Sequence, residues 1–256
     1  MTDYAYALGL DQYRTYLDKD FGRMLELTRS AQNDGALSSR VPSCPGWDIE
    51  ELVRHTALLY LQKAEVVRTG VKPTGRWIPE DVLALDPAAQ LELGYSRLTG
   101  EFDSHQPSDP AESWMPDDQT VSFWIRRLTH ETAIHRYDLE TAVDDVHPID
   151  RELAIDGIDE VLTVMFQRGR SARGSEPNPE GITGSVVLES GGQRWFVGLL
   201  PHDIEVATEA GDEPDAVVSG DPSEVLLWLW GRGALPADMV QQPAAAELRR
   251  RVAATT

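Results

Sequence analysis

The sequence is short of cysteine, of long apolar runs and of basic residues, and each shortage excludes a class of protein. Its single cysteine, Cys44, rules out an intrachain disulfide and a cysteine-rich zinc site. Because no run of about 18 apolar residues occurs, no membrane-spanning helix is predicted. The N-terminus is acidic and has no basic segment before an apolar stretch, so it does not resemble a secretory signal. We therefore expect a cytoplasmic protein.

The shortage of basic residues gives the chain of 256 residues a formal net charge of −20. Binding to nucleic acid or to an anionic membrane surface requires clustered lysine and arginine, so neither partner is expected. The expected partner is a small molecule, electrophilic or anionic. An anionic substrate would need a local arginine or a metal ion to hold it. The composition leaves the oligomeric state open.

The first 146 residues predict a four-helix bundle. Apolar residues recur every three to four positions in four stretches, which we interpret as helices at 10–33, 49–69, 87–102 and 124–142. Asp48 and Glu51 form the capping box that begins the second helix. The sequence VPSCPGW before it contains two prolines and a glycine, and it predicts a rigid loop.

From residue 147 the composition changes, which predicts a second domain at 147–256. One more helix at 150–168 precedes three runs typical of β-strands, at 184–190, 194–200 and 204–209. Residues 190–193 predict a hairpin turn, and 217–218 a short fourth strand. Two further helices are expected at 223–232 and 244–252. The chain is therefore predicted to be an α+β protein of two domains, with a small antiparallel sheet in the second.

The helix at 124–142 carries polar side chains on its inward face. Glu131 and His135 are four residues apart, so both side chains leave one face of the helix a turn apart. Asp138 lies beside them. Carboxylates and imidazoles are costly to bury unless they pair, hydrogen-bond or bind a metal. The helix alone is consistent with two of these arrangements, a metal-binding pair or a buried bond between histidine and glutamate.

His130 and Glu131 match the first two residues of the HExxH zinc-protease motif, but the spacing to the next histidine excludes that motif. The next histidine, His135, is five residues after His130, and this separation places the two rings roughly 140° apart around a helix. The protease motif requires histidines four residues apart. We therefore expect His130 to lie on another face.

A third metal ligand would have to come from another helix. His55 borders the inward face of the second helix, where a lone histidine is usually a hydrogen-bonded core residue. Metal sites in helix bundles, however, are built from side chains on facing helices, and neutral imidazole binds zinc and its first-row neighbours. His55 therefore joins Glu131 and His135 as a candidate ligand. Cys44 is expected to be a small buried thiol rather than a nucleophile.

Three segments together resemble the mycothiol-dependent maleylpyruvate isomerase family: SCPGWDIEELVRH, HETAIHRYDLE and VSGDPSEVLLWLWGR. The resemblance implies a DinB-like four-helix bundle, followed by an α+β domain related to sterol-carrier proteins. It also implies a divalent metal, usually zinc, held by one histidine of the first segment and by the glutamate and histidine of the second. In this sequence those positions are His55, Glu131 and His135.

The resemblance further implies a thiol cofactor, mycothiol or a similar low-molecular-weight thiol. Three protein ligands leave one coordination position open, where the metal would lower the pKa of a bound thiol. The thiolate would add to a small electrophile, as a cis-trans isomerase of an enoyl diacid or as an S-transferase. The alternatives are a non-catalytic metal-binding or ligand-binding protein on the same scaffold, and a metal-dependent hydrolase.

Two further residues are candidates for roles in catalysis. The family resemblance implies a substrate-binding arginine in the second domain, and Arg232 is the position most similar to it. A helix-end arginine that bonds carbonyl groups is the alternative. Asp138 is expected to bond a metal ligand or a substrate group, or else to form a salt bridge. Arg126, Arg127 and Arg136 are alternative cations on the helix of Glu131.

Overall fold

The computed structural model describes residues 6–75, 77–168, 182–201, 204–207 and 213–253. These residues form two compact units. Residues 9–147 make up the first unit, and residues 6–8 together with 148–253 make up the second. None of the helices in these ranges is long and apolar enough to cross a membrane.

The first unit is a bundle of four long helices, as the sequence pattern predicts. In chain order its helices are α1 (Leu10–Asn33), α2 (Ile49–Thr69), the short α3 (Glu80–Leu83), α4 (Pro87–Ser104) and α5 (Val121–Val143). Helix α2 packs along α4, α1 packs along α5, and α2 also contacts α5. The sequence did not predict α3, because four residues are too few to establish a helical period.

Local sequence fixes the two ends of α2. The Asp48 carboxylate accepts a hydrogen bond from the backbone N–H of Glu51 at 2.9 Å, and the Glu51 carboxylate accepts one from the backbone N–H of Asp48 at 2.9 Å. This is the predicted capping box. Gly70 ends the helix with φ of 77°, a left-handed conformation that glycine adopts without strain. Because both ends of α2 are fixed, the face of the helix that carries His55 is fixed as well.

Helix α5 is buried around most of its circumference. Its predicted apolar stripe lies in the core, and Val121 and Leu139 are both 0% exposed. The helix also buries charge, which is paired: Arg136 donates to Asp20 of α1 at 3.2 Å and to Glu140 at 2.6 Å. Buried ion pairs of this kind repay part of the cost of removing the charges from water. Helix α5 can therefore carry polar side chains in the interior of the bundle.

The second unit begins with α6 (Arg151–Asp159), which continues as a π-helix (Glu160–Arg168). The single α-helix predicted at 150–168 is therefore corrected. From Glu160 onwards the hydrogen bonds span five residues instead of four. Apolar spacing does not distinguish these two kinds of turn over so short a stretch. At the junction, the indole N–H of Trp195 donates to the Asp159 carboxylate at 3.4 Å.

A four-stranded sheet forms the centre of the second unit. Its strands are β1 (Gly184–Ser190), β2 (Gln193–Leu199), β3 (Ile204–Ala207) and β4 (Ala216–Gly220), in the spatial order β3-β2-β1-β4. Gly191 and Gly192 have φ of 64° and 85°, so the predicted hairpin between β1 and β2 turns through two left-handed residues. The predicted third strand extended to 209, but residues 208–212 lie outside the described residues.

The sheet is mixed, which corrects the antiparallel sheet predicted from the sequence. Strands β1, β2 and β3 are antiparallel neighbours, whereas β4 runs parallel to β1, with Val217 opposite Val187. Strands β3 and β4 lie at opposite edges of the sheet. Periodicity predicts strands but not their connections. The helices α7 (Pro222–Leu229), α8 (Ala237–Val240) and α9 (Pro243–Ala253) follow, and α9 packs against β1 and β4.

Candidate metal centre

The first unit brings the three candidate ligands together. One ligand atom from each of His55, Glu131 and His135 lies within 4.8 Å of the other two. His135 Nε2 is 3.4 Å from Glu131 Oε1, and the rings of His55 and His135 are 5.3 Å apart and nearly perpendicular. Two ligands of a tetrahedral zinc ion, each about 2.1 Å from the metal, are about 3.4 Å apart. The pair on α5 has that separation, and a ring nitrogen of His55 lies within 4.8 Å of both ligand atoms of the pair.

Asp138 orients the His135 ring. Its Oδ2 accepts a hydrogen bond from Nδ1 of His135 at 3.2 Å, and its side chain is fully buried. Because Nδ1 carries the proton in this bond, the lone pair of a neutral ring is on Nε2. That atom is buried and accepts no hydrogen bond from any residue that the structure describes. An imidazole held by a carboxylate on one nitrogen and free on the other is the usual state of a metal-binding histidine.

The two ligands on α5 carry opposite charges in the absence of a metal. Burial by itself would lower the pKa of His135, but Asp138 and the Glu131 carboxylate outweigh it and raise the pKa to about 9, so a metal ion must displace a proton from this ring. Burial would likewise raise the pKa of Glu131, but the adjacent Arg127 guanidinium and His135 hold it below its usual range. Arg127 is one turn before Glu131 and pairs with its Oε2. Glu131 is therefore an ionised carboxylate held in place from one side.

His55 is placed by the loop that precedes α2. The Trp47 ring lies 4.8 Å from the His55 ring, so the tryptophan of the PSCPGW segment packs directly against the candidate ligand. Burial and the nearby His135 lower the pKa of His55, against the opposing effect of Glu131. A lowered pKa favours the neutral imidazole, which is the form that binds metals.

Cys44 contacts Asp138, the residue that bonds to His135. Its thiol is half-buried, and it donates to Oδ2 of Asp138 at 3.4 Å. The neighbouring Ser43 hydroxyl is 3.5 Å from that of Thr141 on α5. The expectation of a small buried thiol omitted this contact, because nothing in the sequence pairs residue 44 with residue 138. The loop before α2 therefore touches both the first ligand and the residue that orients the third.

The other candidates on α5 have separate environments. His130 is buried against Tyr13 of α1, with ring centroids 6.1 Å apart, as the five-residue spacing predicted. Arg136 belongs to the buried network with Asp20 and Glu140. Arg127 is the arginine that pairs with a candidate ligand. The i,i+4 spacing from Arg127 to Glu131 is visible in the sequence and could have identified this contact.

Arg232 lies in the second unit, just after α7. Its Nη1 donates to the backbone carbonyl of Trp230 at 2.7 Å, and its guanidinium lies 5.6 Å from the centre of the Trp230 ring. Arg249 of α9 is close enough for Arg232 to lower its pKa, although burial is the larger cause. The Nη1 of Arg249 is buried and has no hydrogen-bond partner in the described part of the chain. Two guanidinium groups are therefore neighbours in this unit.

Fold and site together define a class: a four-helix bundle carrying a three-residue cluster with metal-ligand chemistry, followed by an α+β unit. The model of the mycothiol maleylpyruvate isomerase N-terminal domain matches residues 19–140, and the model of the C-terminal domain of the same family matches residues 152–254. The chain belongs to the mycothiol-dependent maleylpyruvate isomerase family, and this membership identifies it as an enzyme.

Solved structures agree with this fold. One is a crystal structure of mycothiol-dependent maleylpyruvate isomerase, at 19% identity and a TM-score of 0.58, covering 91% of this chain and 93% of that one. Another is a histidine-to-alanine variant of mycothiol-dependent maleylpyruvate isomerase, at 17% identity and a TM-score of 0.58, covering 95% of this chain and 99% of that one. At such identities the likeness concerns the fold alone. No curated protein matches the sequence.

Proposed function

We propose that the protein is a divalent-metal enzyme, with zinc as the metal, that uses a low-molecular-weight thiol to isomerise a small cis-enoyl diacid. The observation that carries this proposal is the convergence of His55, Glu131 and His135 in a member of this family. The buried Nε2 of His135 supports it: among the described residues this atom has no hydrogen-bond partner, it faces Oε1 of Glu131 at 3.4 Å, and a metal ion would bind both atoms.

His55, Glu131 and His135 would hold the metal. Three protein ligands leave one coordination position for a thiol, and the cation favours the thiolate form. Two imidazoles and one carboxylate suit zinc, and they also accept other first-row divalent metals. Asp138 would keep the His135 lone pair directed at the cation, and Arg127 would hold Glu131 in its place.

A thiol held at the metal would supply a nucleophilic sulfur for the electrophilic carbon of a conjugated double bond. The displaced electron pair would move to the conjugated carbonyl oxygen, and its return after rotation about the former double bond would expel the sulfur, so the trans isomer would form and no thiol would be consumed. With a substrate that carries a leaving group, the same nucleophile would give a stable thioether, and the enzyme would be an S-transferase.

Arg232 is proposed to bind a substrate carboxylate. A guanidinium forms two parallel hydrogen bonds with a carboxylate, and the neighbouring Arg249 adds positive charge to that region of a strongly acidic chain. The hydrogen bond from Arg232 to the Trp230 carbonyl and the contact of its guanidinium with the Trp230 ring hold the Arg232 side chain in one orientation.

The test is turnover by the zinc-loaded enzyme with mycothiol and maleylpyruvate. We expect conversion to the trans isomer that requires the thiol and leaves its concentration unchanged. Accumulation of a thioether would instead assign an S-transferase. Turnover of an ester or amide without any thiol, or no thiol-dependent reaction with any enoyl diacid, would contradict the proposal.

A further inference from the structure

Lys63 of α2 is a half-buried cation without an acidic partner. Its Nζ lies 4.3 Å from the centre of the Trp124 ring and donates to Oε1 of Gln62 at 2.8 Å. Among the residues that the structure describes, no carboxylate lies within ion-pairing distance of this nitrogen. A lysine that is partly removed from water usually pairs with an acid or extends its amine into solvent.

The position of Lys63 relates it to the candidate metal centre. Trp124, which it contacts, lies seven residues before Glu131, so the two side chains lie on the same stripe of α5, about 10 Å apart along the axis. Arg127 lies between them and pairs with Glu131. The contact between α2 and α5 therefore carries the candidate metal centre and, about two turns further along, an amine that has no counter-ion among the described residues.

A second lysine, Lys72, is near enough to Lys63 for its charge to lower the pKa of the Lys63 amine. Lys72 is exposed in the loop after α2, and its backbone N–H donates a hydrogen bond to the Glu112 carboxylate at 2.7 Å. The pKa of Lys63 falls to about 8, mainly because of burial and also because of Lys72 and Arg127, while Glu131 opposes the fall. The chain has only three lysines, Lys19 being the third, and a net charge of −20.

We propose that Lys63, with Lys72 beside it, is a carboxylate-binding subsite for a small dicarboxylate on the same α2–α5 face as the metal cluster. The inference rests on the proposed function in assigning this dicarboxylate as the substrate. One carboxylate binds the amine of Lys63, and the Trp124 ring provides a flat apolar wall beneath it. The electrophilic double bond is then directed along the helices towards His55, Glu131 and His135.

The first test observes Lys63 directly in the full-length, zinc-loaded protein. Reductive methylation with ¹³C-formaldehyde labels the three lysines, and Lys→Arg variants assign their NMR signals. Maleate is the probe. We expect the Lys63 signal to titrate near pH 8 in the free protein, and its pKa to rise when maleate binds, because the anion stabilises the protonated amine. The Lys19 signal should not move. A Lys63 signal that ignores saturating maleate would overturn the proposal.

The second test uses matched variants and calorimetric titration with maleate. Lys63→Met keeps an apolar chain over Trp124 and should weaken binding about tenfold or more, since one charged hydrogen bond is lost. Lys63→Arg should retain most of the affinity, and Lys19→Met should bind like the wild type. Equal affinity for Lys63→Met and wild type would refute the subsite.

Zinc content separates this subsite from the proposed function. If zinc fails to bind but maleate still moves the Lys63 signal, the proposed function fails and the subsite stands. If zinc and thiol-dependent turnover are normal but maleate binds equally well without Lys63, only the subsite fails.

Discussion

Oδ2 of Asp138 accepts hydrogen bonds from two groups that come from different segments of the chain, Nδ1 of His135 at 3.2 Å and the thiol of Cys44 at 3.4 Å. One fully buried carboxylate thus connects the loop before α2 to the candidate ligand on α5. The same loop packs Trp47 against His55. A change in the position of the loop would therefore alter the surroundings of both His55 and His135.

The first prediction concerns this carboxylate. Asp138→Ala removes the acceptor of the His135 Nδ1–H bond, so the ring loses its fixed tautomer and orientation. We expect zinc affinity to fall about 10- to 100-fold, measured by competition with a chromophoric chelator. Asp81→Ala, which removes an exposed carboxylate from α3, is the matched control and should leave the affinity unchanged. An unchanged affinity in Asp138→Ala would show that Asp138 does not orient a ligand.

The second prediction concerns the buried ion pairs of α5. Arg136→Met leaves Asp20 without this cation in the core, and we expect a loss of about 3 kcal/mol in the free energy of unfolding. The control is Arg29→Met, which breaks the exposed pair with Glu92 and should cost less than about 1 kcal/mol. Urea unfolding followed by circular dichroism compares the two. Similar losses of stability in both variants would contradict the expectation that breaking the buried ion pair costs more than breaking the exposed one.

The third prediction is a pH dependence in the second unit. Glu247 accepts hydrogen bonds from Arg250 and Arg251 at 2.7 Å, and these cations, Arg250 first, hold its pKa below the usual range despite partial burial. A lowered folded-state pKa stabilises the fold above the unfolded-state pKa, and that stabilisation is lost as the pH falls through the folded-state value.

Glu247→Gln should therefore be less stable than the wild type at pH 7, by about 2 kcal/mol. The difference should shrink as the pH is lowered below about 4.5, the unfolded-state value. Denaturant unfolding at a series of pH values measures it, and Glu224→Gln on α7 serves as an exposed control. A difference that is constant with pH would mean that the charge of Glu247 contributes nothing.

The fourth prediction concerns Arg232. Arg232→Lys keeps the charge but loses the paired hydrogen-bond geometry of the guanidinium. We expect a loss of about 10-fold or more in kcat/KM for the diacid, with zinc content unchanged. Arg97→Lys, an exposed change on α4, should have no effect. Full activity in Arg232→Lys would remove Arg232 from the substrate-binding groups.

Helical periodicity predicted the long helices of the bundle because apolar residues recur at helical spacing in each of them, and terminal residues such as Asp48 and Gly70 of α2 are clear. The same spacing placed Glu131 and His135 on one face. What it did not predict depends on contacts between distant segments. The bond from Cys44 to Asp138 joins residues 94 apart, and the parallel pairing of β4 with β1 joins strands that are about 30 residues apart and leaves no local pattern.

Lys63 shows a related limit of the sequence. At helical spacing it borders the face of His55 and looks like an ordinary solvated lysine. Only the structure reveals that it lies over Trp124 at 4.3 Å. Burial lowers its pKa most, and the two cations that also lower it, Lys72 and Arg127, come from separate segments of the chain. The sequence alone does not show which of these segments lie near Lys63 in the fold.

The central claim is that three side chains from two helices hold one divalent metal. The most direct measurement is zinc content after dialysis, by mass spectrometry, for the wild type and for His55→Ala, Glu131→Ala and His135→Ala. The control is His105→Ala, whose ring bonds only within α4. We predict about one zinc per chain in the wild type and the control, and less than about a tenth of that in each ligand variant. Zinc content that stays the same in all three ligand variants would contradict the account.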